Sequence, residues 1–205
     1  MQYSRPALLM LDYQVALCDP EANRAPALAA QVAERAVVPV AQAVLAAARD
    51  AELLIIHVRL AFDDTYLLRT NRLARFDSYP ENRAMLRGSA EAAIIAQLAP
   101  EQGEPVLDKS CVDPFIGSPL LSVLHAEGIG EIIIGGVATN LVVESTARHA
   151  SDSGLQVTIV EDMCASFSPA AHDFAVANIL PLFGSVVSSA EVIGRLGEHT
   201  ERGAA

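Results

Sequence analysis

Cysteine is scarce in this chain and poorly placed for cross-linking. Cys18, Cys111 and Cys164 are an odd number at wide, irregular intervals with no CxxC pair, which excludes a disulfide framework and points to a reducing compartment. Positive charge is thin as well. Fourteen Lys plus Arg stand against 25 Asp plus Glu, a formal net charge of -11. Such a balance repels phosphate backbones and anionic lipid, so neither nucleic acid nor a membrane surface is expected as a partner. No apolar stretch reaches the roughly 18 residues needed to span a bilayer. The first apolar run is broken by Asp12, too soon for the core of a signal peptide. A cytoplasmic protein is expected. The histidines (His57, His125, His149, His172 and His199) do not cluster, so no metal site is expected, and no cofactor. Internal repeats, low-complexity tracts and signs of a second domain are absent.

What is present is apolar material. Hydrophobic residues make up 52% of 205 residues, enough for the continuous core of a single domain. Short apolar runs read as buried strands at Ala7–Leu11, Leu53–Val58, Pro105–Asp108, Glu131–Gly135, Gln156–Val160 and Ser185–Val187. Between them lie helical segments. Residues Pro26–Asp50 carry a stripe of Val32, Ala36, Val40, Ala43, Val44 and Ala47, with a break expected at Pro39. Ser118-Pro119, Asn140 and Ser168-Pro169 read as helix starts, and Gly154 as a stop. Continuous apolar strands alternating with helices predict a three-layer α/β/α, doubly wound domain with a parallel sheet covered on both faces.

One segment breaks the rhythm. Phe62–Gly88 is long, polar and rich in arginine (Arg69, Arg72, Arg75, Arg83 and Arg87), with Phe62, Tyr66, Phe76 and Tyr79 interspersed. A loop of that length is usually functional or disordered. The aromatic residues favour a lid or an oligomer contact. The polar tail from Gly197 to Ala205 is expected to fray.

In a doubly wound sheet, ligands bind beyond the carboxyl ends of the strands. Three features fall there. Asp12 ends the first strand, Lys109 ends the third, and GGVATN (135–140) leads from the fourth into a helix. A carboxylate that ends a buried strand needs a partner to stay charged, and Lys109 would emerge at the same edge. The pair reads equally well as catalytic or as a structural ion pair. The Gly-Gly turn could offer backbone N–H groups to an anion, or merely ease the strand into the helix.

Together, ALLMLDYQ, EPVLDKS and IIIGGVATNLVVESTARHASDSGLQVTIVEDMCAS resemble the three signature segments of the isochorismatase-like hydrolases, within the cysteine hydrolase superfamily. They occur in that family's order and spacing, and the similarity runs from about Ala7 to about Ile193. The resemblance implies a six-stranded parallel sheet and a homo-oligomer, dimer or tetramer, acting on a small-molecule substrate. In amidase members it implies a triad of aspartate, lysine and cysteine, the first two matching Asp12 and Lys109. It further implies a cis peptide between Val137 and Ala138, and an oxyanion hole built from the backbone of Val137, Ala138 and Val142. Gln14, Phe62, Tyr66, Phe115 and Asn140 are the candidates for contact with substrate.

The chain departs from the pattern at the nucleophile. GVATNLVVEST puts Val142 where the amidases carry cysteine, and an alkyl side chain cannot attack a carbonyl. Loss of the nucleophile in a serine-hydrolase triad costs roughly a millionfold. Cys111, two residues past Lys109, is the remaining candidate thiol. Cys164 and Cys18 read as small buried side chains. The family's isochorismatases offer a precedent without the thiol, in which an aspartic acid protonates an enol ether and water adds. Yet Ala138-Thr139-Asn140 is the amidase-like form, and only Arg69, Arg72 and Arg75 in the lid present themselves to neutralise a dianion. Three readings follow: a hydrolase in which Asp12 acts as general acid/base with Lys109 and no covalent step; a silent relative that binds a small molecule or a partner; and an amidohydrolase whose nucleophilic cysteine has been replaced by Val142.

Overall fold

Strand β1 (Arg5–Leu11) sets the architecture, because its side chains alternate between two apolar faces. Leu8 and Met10 enter one core cluster, while Ala7, Leu9 and Leu11 enter the other. A strand buried on both sides belongs in the middle of a parallel sheet. The computed structural model, which describes residues 5–22 and 24–203, places it there. The sheet has six strands, all parallel, in the order β3-β2-β1-β4-β5-β6. The others are β2 (Leu54–Leu60), β3 (Val106–Lys109), β4 (Ile129–Gly136), β5 (Gln156–Val160) and β6 (Ser185–Val187). The chain winds outward from β1 to β3, then returns to lay β4 on the other side of β1. That reversal opens the crevice in which such sheets bind ligands.

Among the described residues there are eight α-helices: α1 (Val15–Cys18), α2 (Pro26–Glu34), α3 (Val37–Asp50), α4 (Ala74–Asp77), α5 (Leu120–Ala126), α6 (Glu144–Asp152), α7 (Pro169–Phe174) and α8 (Ser189–Gly203). Helices α2, α3 and α8 cover one face through Leu28, Val44, Leu45 and Leu196. Helices α5 and α6 cover the other through Leu120, Leu124, Ala147 and Ala150. Among the described residues no single helix is long and apolar enough to cross a membrane.

The structure corrects three local expectations. The break in residues 26–50 falls at Arg35-Ala36, where Ala36 adopts φ 52, and not at Pro39. The two helices diverge by 65°. Pro39 is the third residue of α3, where a missing N–H costs nothing because the first turn has no acceptor for it. The break resets the helical phase, so the buried stripe of α3 is Val37, Ala41, Val44, Leu45 and Ala48, with Ala43 exposed. The tail also holds its fold further than expected. Helix α8 runs past Gly197 to Gly203, anchored by buried Val192 and Leu196, while residues 204–205 lie outside the described part. Third, Asn140 does not start a regular helix. It lies in a wide π-type turn (Thr139–Val143) ahead of α6.

A half-buried ionic knot ties α3 to the sheet. Arg49 donates from Nε to Glu104 Oε1 at 2.7 Å and from Nη2 to Oε2 at 3.0 Å, and His57 Nε2 lies 2.8 Å from Oε2. Burial pushes the Glu104 carboxyl up in pKa, but hydrogen bonds from Arg49, the Glu101 N–H and His57 outweigh it and bring it from 4.5 to about 2. The stability this adds is therefore present above pH 4.5 and lost as pH falls toward 2. Glu104→Gln is expected to cost about 1.5–3 kcal/mol at neutral pH. Its acid unfolding curve should be flatter than the native one across that window, as followed by circular dichroism.

Candidate active site

Asp12 is the first residue beyond β1, held at φ 58 with its N–H donating to the Val58 carbonyl at 2.9 Å. Lys109 is the last residue of β3. Strand β2 lies between them, so the two backbones stand two strand spacings apart, about 4.8 Å each. The long lysine side chain bridges that gap over the end of β2. Lys109 Nζ meets Asp12 Oδ2 at 2.9 Å and donates to the Cys111 carbonyl at 2.9 Å. Asp12 is 5% exposed and Lys109 3%. The other carboxylate oxygen, Asp12 Oδ1, has no hydrogen-bond partner among the described residues. Burial raises the pKa of Asp12 above the ordinary carboxylate value, and the charge of Lys109 offsets that only in part.

Opposite this pair, β4 ends in Gly135-Gly136 and passes through a cis peptide between Val137 and Ala138. A Cβ on Gly136 would lie 2.3 Å from the Leu11 carbonyl oxygen, so glycine is what lets the two strand ends close up beside Asp12. The Thr139 N–H donates to the Ala165 carbonyl, and the Thr139 hydroxyl sits 2.8 Å from His172 Nδ1. His172 Nε2 in turn lies 3.5 Å from Glu161 Oε2, which Arg35 also engages at 3.0 Å. This chain, buried at Thr139 and His172 and half-exposed at its Glu161–Arg35 end, fixes the turn from behind. Read from sequence alone, His172 is an isolated histidine on a helix, because its partners are brought to it by the fold.

Asp12, Lys109, Val137, Ala138 and Val142 all line one cavity of about 500 Å³, its open mouth included. Most of the remaining wall is apolar: Leu17, Leu28, Leu60, Phe76, Met85, Leu141 and Phe167. Cys111, Tyr79 and Arg24 add polar side chains to the lining. A dry wall beside an unpartnered carboxyl oxygen suits proton transfer to or from a bound molecule. Val142, 1% exposed, contributes an alkyl side chain to this wall.

The other candidate residues lie elsewhere. The Gln14 side chain is fully committed. Its Nε2 donates to the Leu60 and Ala92 carbonyls at 2.8 and 3.0 Å, and its Oε1 accepts from the Leu60 N–H at 2.8 Å. It staples β1 to β2 and to the segment after Gly88, fully buried and outside the cavity lining. Phe62 and Tyr66 pack on each other with ring centres 5.3 Å apart and face a neighbouring depression beyond Lys109. Phe115 stacks on His149 at 4.5 Å within the opposite core. Asn140 is exposed and accepts a hydrogen bond from Ser166. Among the described residues, Arg69 and Arg72 do not line the cavity. Arg69 pairs with Asp77 within the segment 62–88, and Arg72 reaches the same carboxylate at 3.7 Å. The side chain of Arg75 lies outside the described part.

The cysteines are quiet thiols. Burial pushes Cys18 and Cys164 up to about 12, and it raises Cys111 despite the nearby charge of Lys109. Cys111 Sγ donates to the Asp113 carbonyl at 3.3 Å. Sequence reasoning missed Arg24 as a cavity residue. It sits in an irregular stretch between α1 and α2, and no periodicity marks such a position.

The fold and site can now be set beside known proteins. Residues 6–191 match the isochorismatase domain model. The chain is 27% identical over 193 residues to maleamate amidohydrolase of Pseudomonas putida, covering 94% of this chain and 87% of that protein. It is 31% identical over 167 residues to ureidoacrylate amidohydrolase RutB of Klebsiella pneumoniae, covering 75% and 71%. Its structure superposes on a cysteine hydrolase from Pseudomonas syringae pv. phaseolicola with a TM-score of 0.83 at 26% identity, covering 95% of this chain and 93% of that one. The family model spans β1 through the start of α8, so the chain belongs to the isochorismatase family of hydrolases.

Proposed function

We propose that this protein hydrolyses a small polar molecule without a covalent enzyme intermediate, using Asp12 as general acid/base and Lys109 as its charge partner. The observation that carries the proposal is Asp12 itself: it is buried and lines the cavity, Oδ2 is held by Lys109, and Oδ1 has no hydrogen-bond partner among the described residues. A carboxyl whose burial favours the neutral form can deliver a proton in a dry pocket. On an enol ether, Asp12 protonates the double-bond carbon, and the ether oxygen's lone pair stabilises the resulting oxocarbenium ion. Water adds to that ion and returns a proton to the Asp12 carboxylate. The hemiacetal then collapses to a carbonyl compound and an alcohol. Lys109 keeps the carboxylate form tolerable between these steps.

A second reading is favoured by Val142 and by the relatives, two of which are amidohydrolases by name. In it the frame is that of an amidase that lacks its nucleophile and now binds its ligand without turnover. Turnover of a panel of small amides and enol ethers, isochorismate included, separates the two when the native chain is run beside Val142→Cys. Hydrolysis of an enol ether by the native chain, with no gain from the cysteine, is the expected result. Amide cleavage by the cysteine variant alone would overturn the proposal in favour of the second reading.

A further inference from the structure

The cavity wall contains three charged side chains among the described residues: Asp12, Lys109 and Arg24. Asp12 and Lys109 neutralise each other. Arg24 is left as the one charge in the lining without a counterion in the lining. Its guanidinium is held from outside the cavity by a single oxygen, Glu91 Oε1, which accepts from Nε at 3.1 Å and from Nη2 at 2.6 Å. Glu91 is itself fixed, because its Oε2 accepts the Met85 N–H at 3.2 Å. Five N–H donors make up a guanidinium. Two are used here, so both Nη1 donors and one on Nη2 have no partner among the described residues. The side chain keeps 29% of its surface exposed.

A guanidinium pinned along one edge and open along the other is a preorganised receptor for a planar anion. The rest of the lining is mostly apolar, with Leu28, Phe76 and Met85 in it, and also holds the phenol of Tyr79. We infer that Arg24 receives the carboxylate of the substrate, so that the protein acts on short monoanions with an apolar body. The inference rests on the cavity being the substrate site of the proposed hydrolase. It assigns one end of the substrate to Arg24 and leaves the other to Asp12 and Lys109.

Binding without turnover tests this independently of the mechanism. Isothermal titration of the full chain with crotonate and with crotonamide, its neutral near-isostere, is the direct measurement. Crotonate is expected to bind about tenfold or more tightly than crotonamide, as a charge-assisted pair provides. Arg24→Gln should erase that preference, and Arg24→Lys should retain part of it. Glu91→Gln leaves the guanidinium in place without its counter-charge, so crotonate should bind more tightly still. That variant decides the matter even if Arg24→Gln fails to fold. Equal binding of the two probes, no measurable binding of crotonate, or crotonate affinity unmoved by Arg24→Gln would overturn the assignment. So would unchanged or weaker crotonate binding in Glu91→Gln. None of these outcomes bears on Asp12, whose role is read from turnover.

Discussion

Asp12→Asn is expected to lower turnover by about 10²- to 10⁴-fold, the range that positioned proton transfer contributes, and at the same time to destabilise the fold. The stability effect comes from Lys109. It is 3% exposed, and its Nζ would face a neutral amide in place of a carboxylate. Leaving one member of a buried pair uncompensated costs about 3–5 kcal/mol, whereas replacing both by apolar side chains of similar size is often neutral or better. Lys109→Met alone should therefore be as costly as Asp12→Asn. Asp12→Leu combined with Lys109→Met should recover most of the stability and none of the activity. Denaturant melts of the three variants, with the turnover panel run on each, check both halves. Additive losses in the double variant would mean that the pair is not coupled as the 2.9 Å contact implies.

The pH dependence follows from the same carboxyl. Its folded pKa lies above the ordinary 3.8. Acid catalysis by Asp12 therefore declines as pH rises through that folded pKa. In Asp12→Asn this slope of turnover should vanish.

The second large effect lies one strand away. Gly136 pairs with Leu11 across β1 and β4, and a Cβ there would meet the Leu11 carbonyl oxygen at 2.3 Å and Leu11 Cβ at 2.5 Å. Neither can move aside, since both belong to the central strand of the sheet. Gly136→Ala is expected to cost about 3 kcal/mol or more. Because the displaced strand end carries Asp12, residual activity should fall even in whatever fraction remains folded. Gly194→Ala is the matched control. In the exposed part of α8 its new methyl meets nothing within 4 Å, and alanine should stabilise the helix by up to about 1 kcal/mol. Urea midpoints moving in opposite directions for the two glycines are the expected outcome.

The sheet was readable from the sequence because each strand is a continuous apolar run, and Asp12 and Lys109 were readable because each interrupts such a run at its carboxyl end. Their direct contact was not. It depends on strand order, which places β2 between them and requires the lysine to reach across. The helix break was misplaced because Pro39 is a conspicuous breaker, while the real one is an alanine in a left-handed conformation. Gln14 stands beside the site in sequence and was expected to touch substrate. Its amide instead bonds to backbone groups of Leu60 in β2 and Ala92 after Gly88, which only the folded chain brings together. Arg24 shows the converse: an arginine in an irregular loop carries no pattern, and only three-dimensional closure delivers it to the cavity. In the charge-rich segment 62–88, Arg69 is drawn to Asp77 within the segment while Arg87 pairs with Asp108 of β3, so neither faces the cavity lining.

Lys109 is the only lysine in the chain. Its burial against Asp12 therefore removes the whole complement of side-chain primary amines from the surface. Amine-reactive tags and lysine-directed crosslinkers will find at most the chain's amino terminus on the native protein. They gain one further attachment point only when the β1–β3 edge opens. Counting incorporated tags by mass spectrometry then reports on that opening one molecule at a time. Immobilisation for binding work has to go through carboxylates or the terminus.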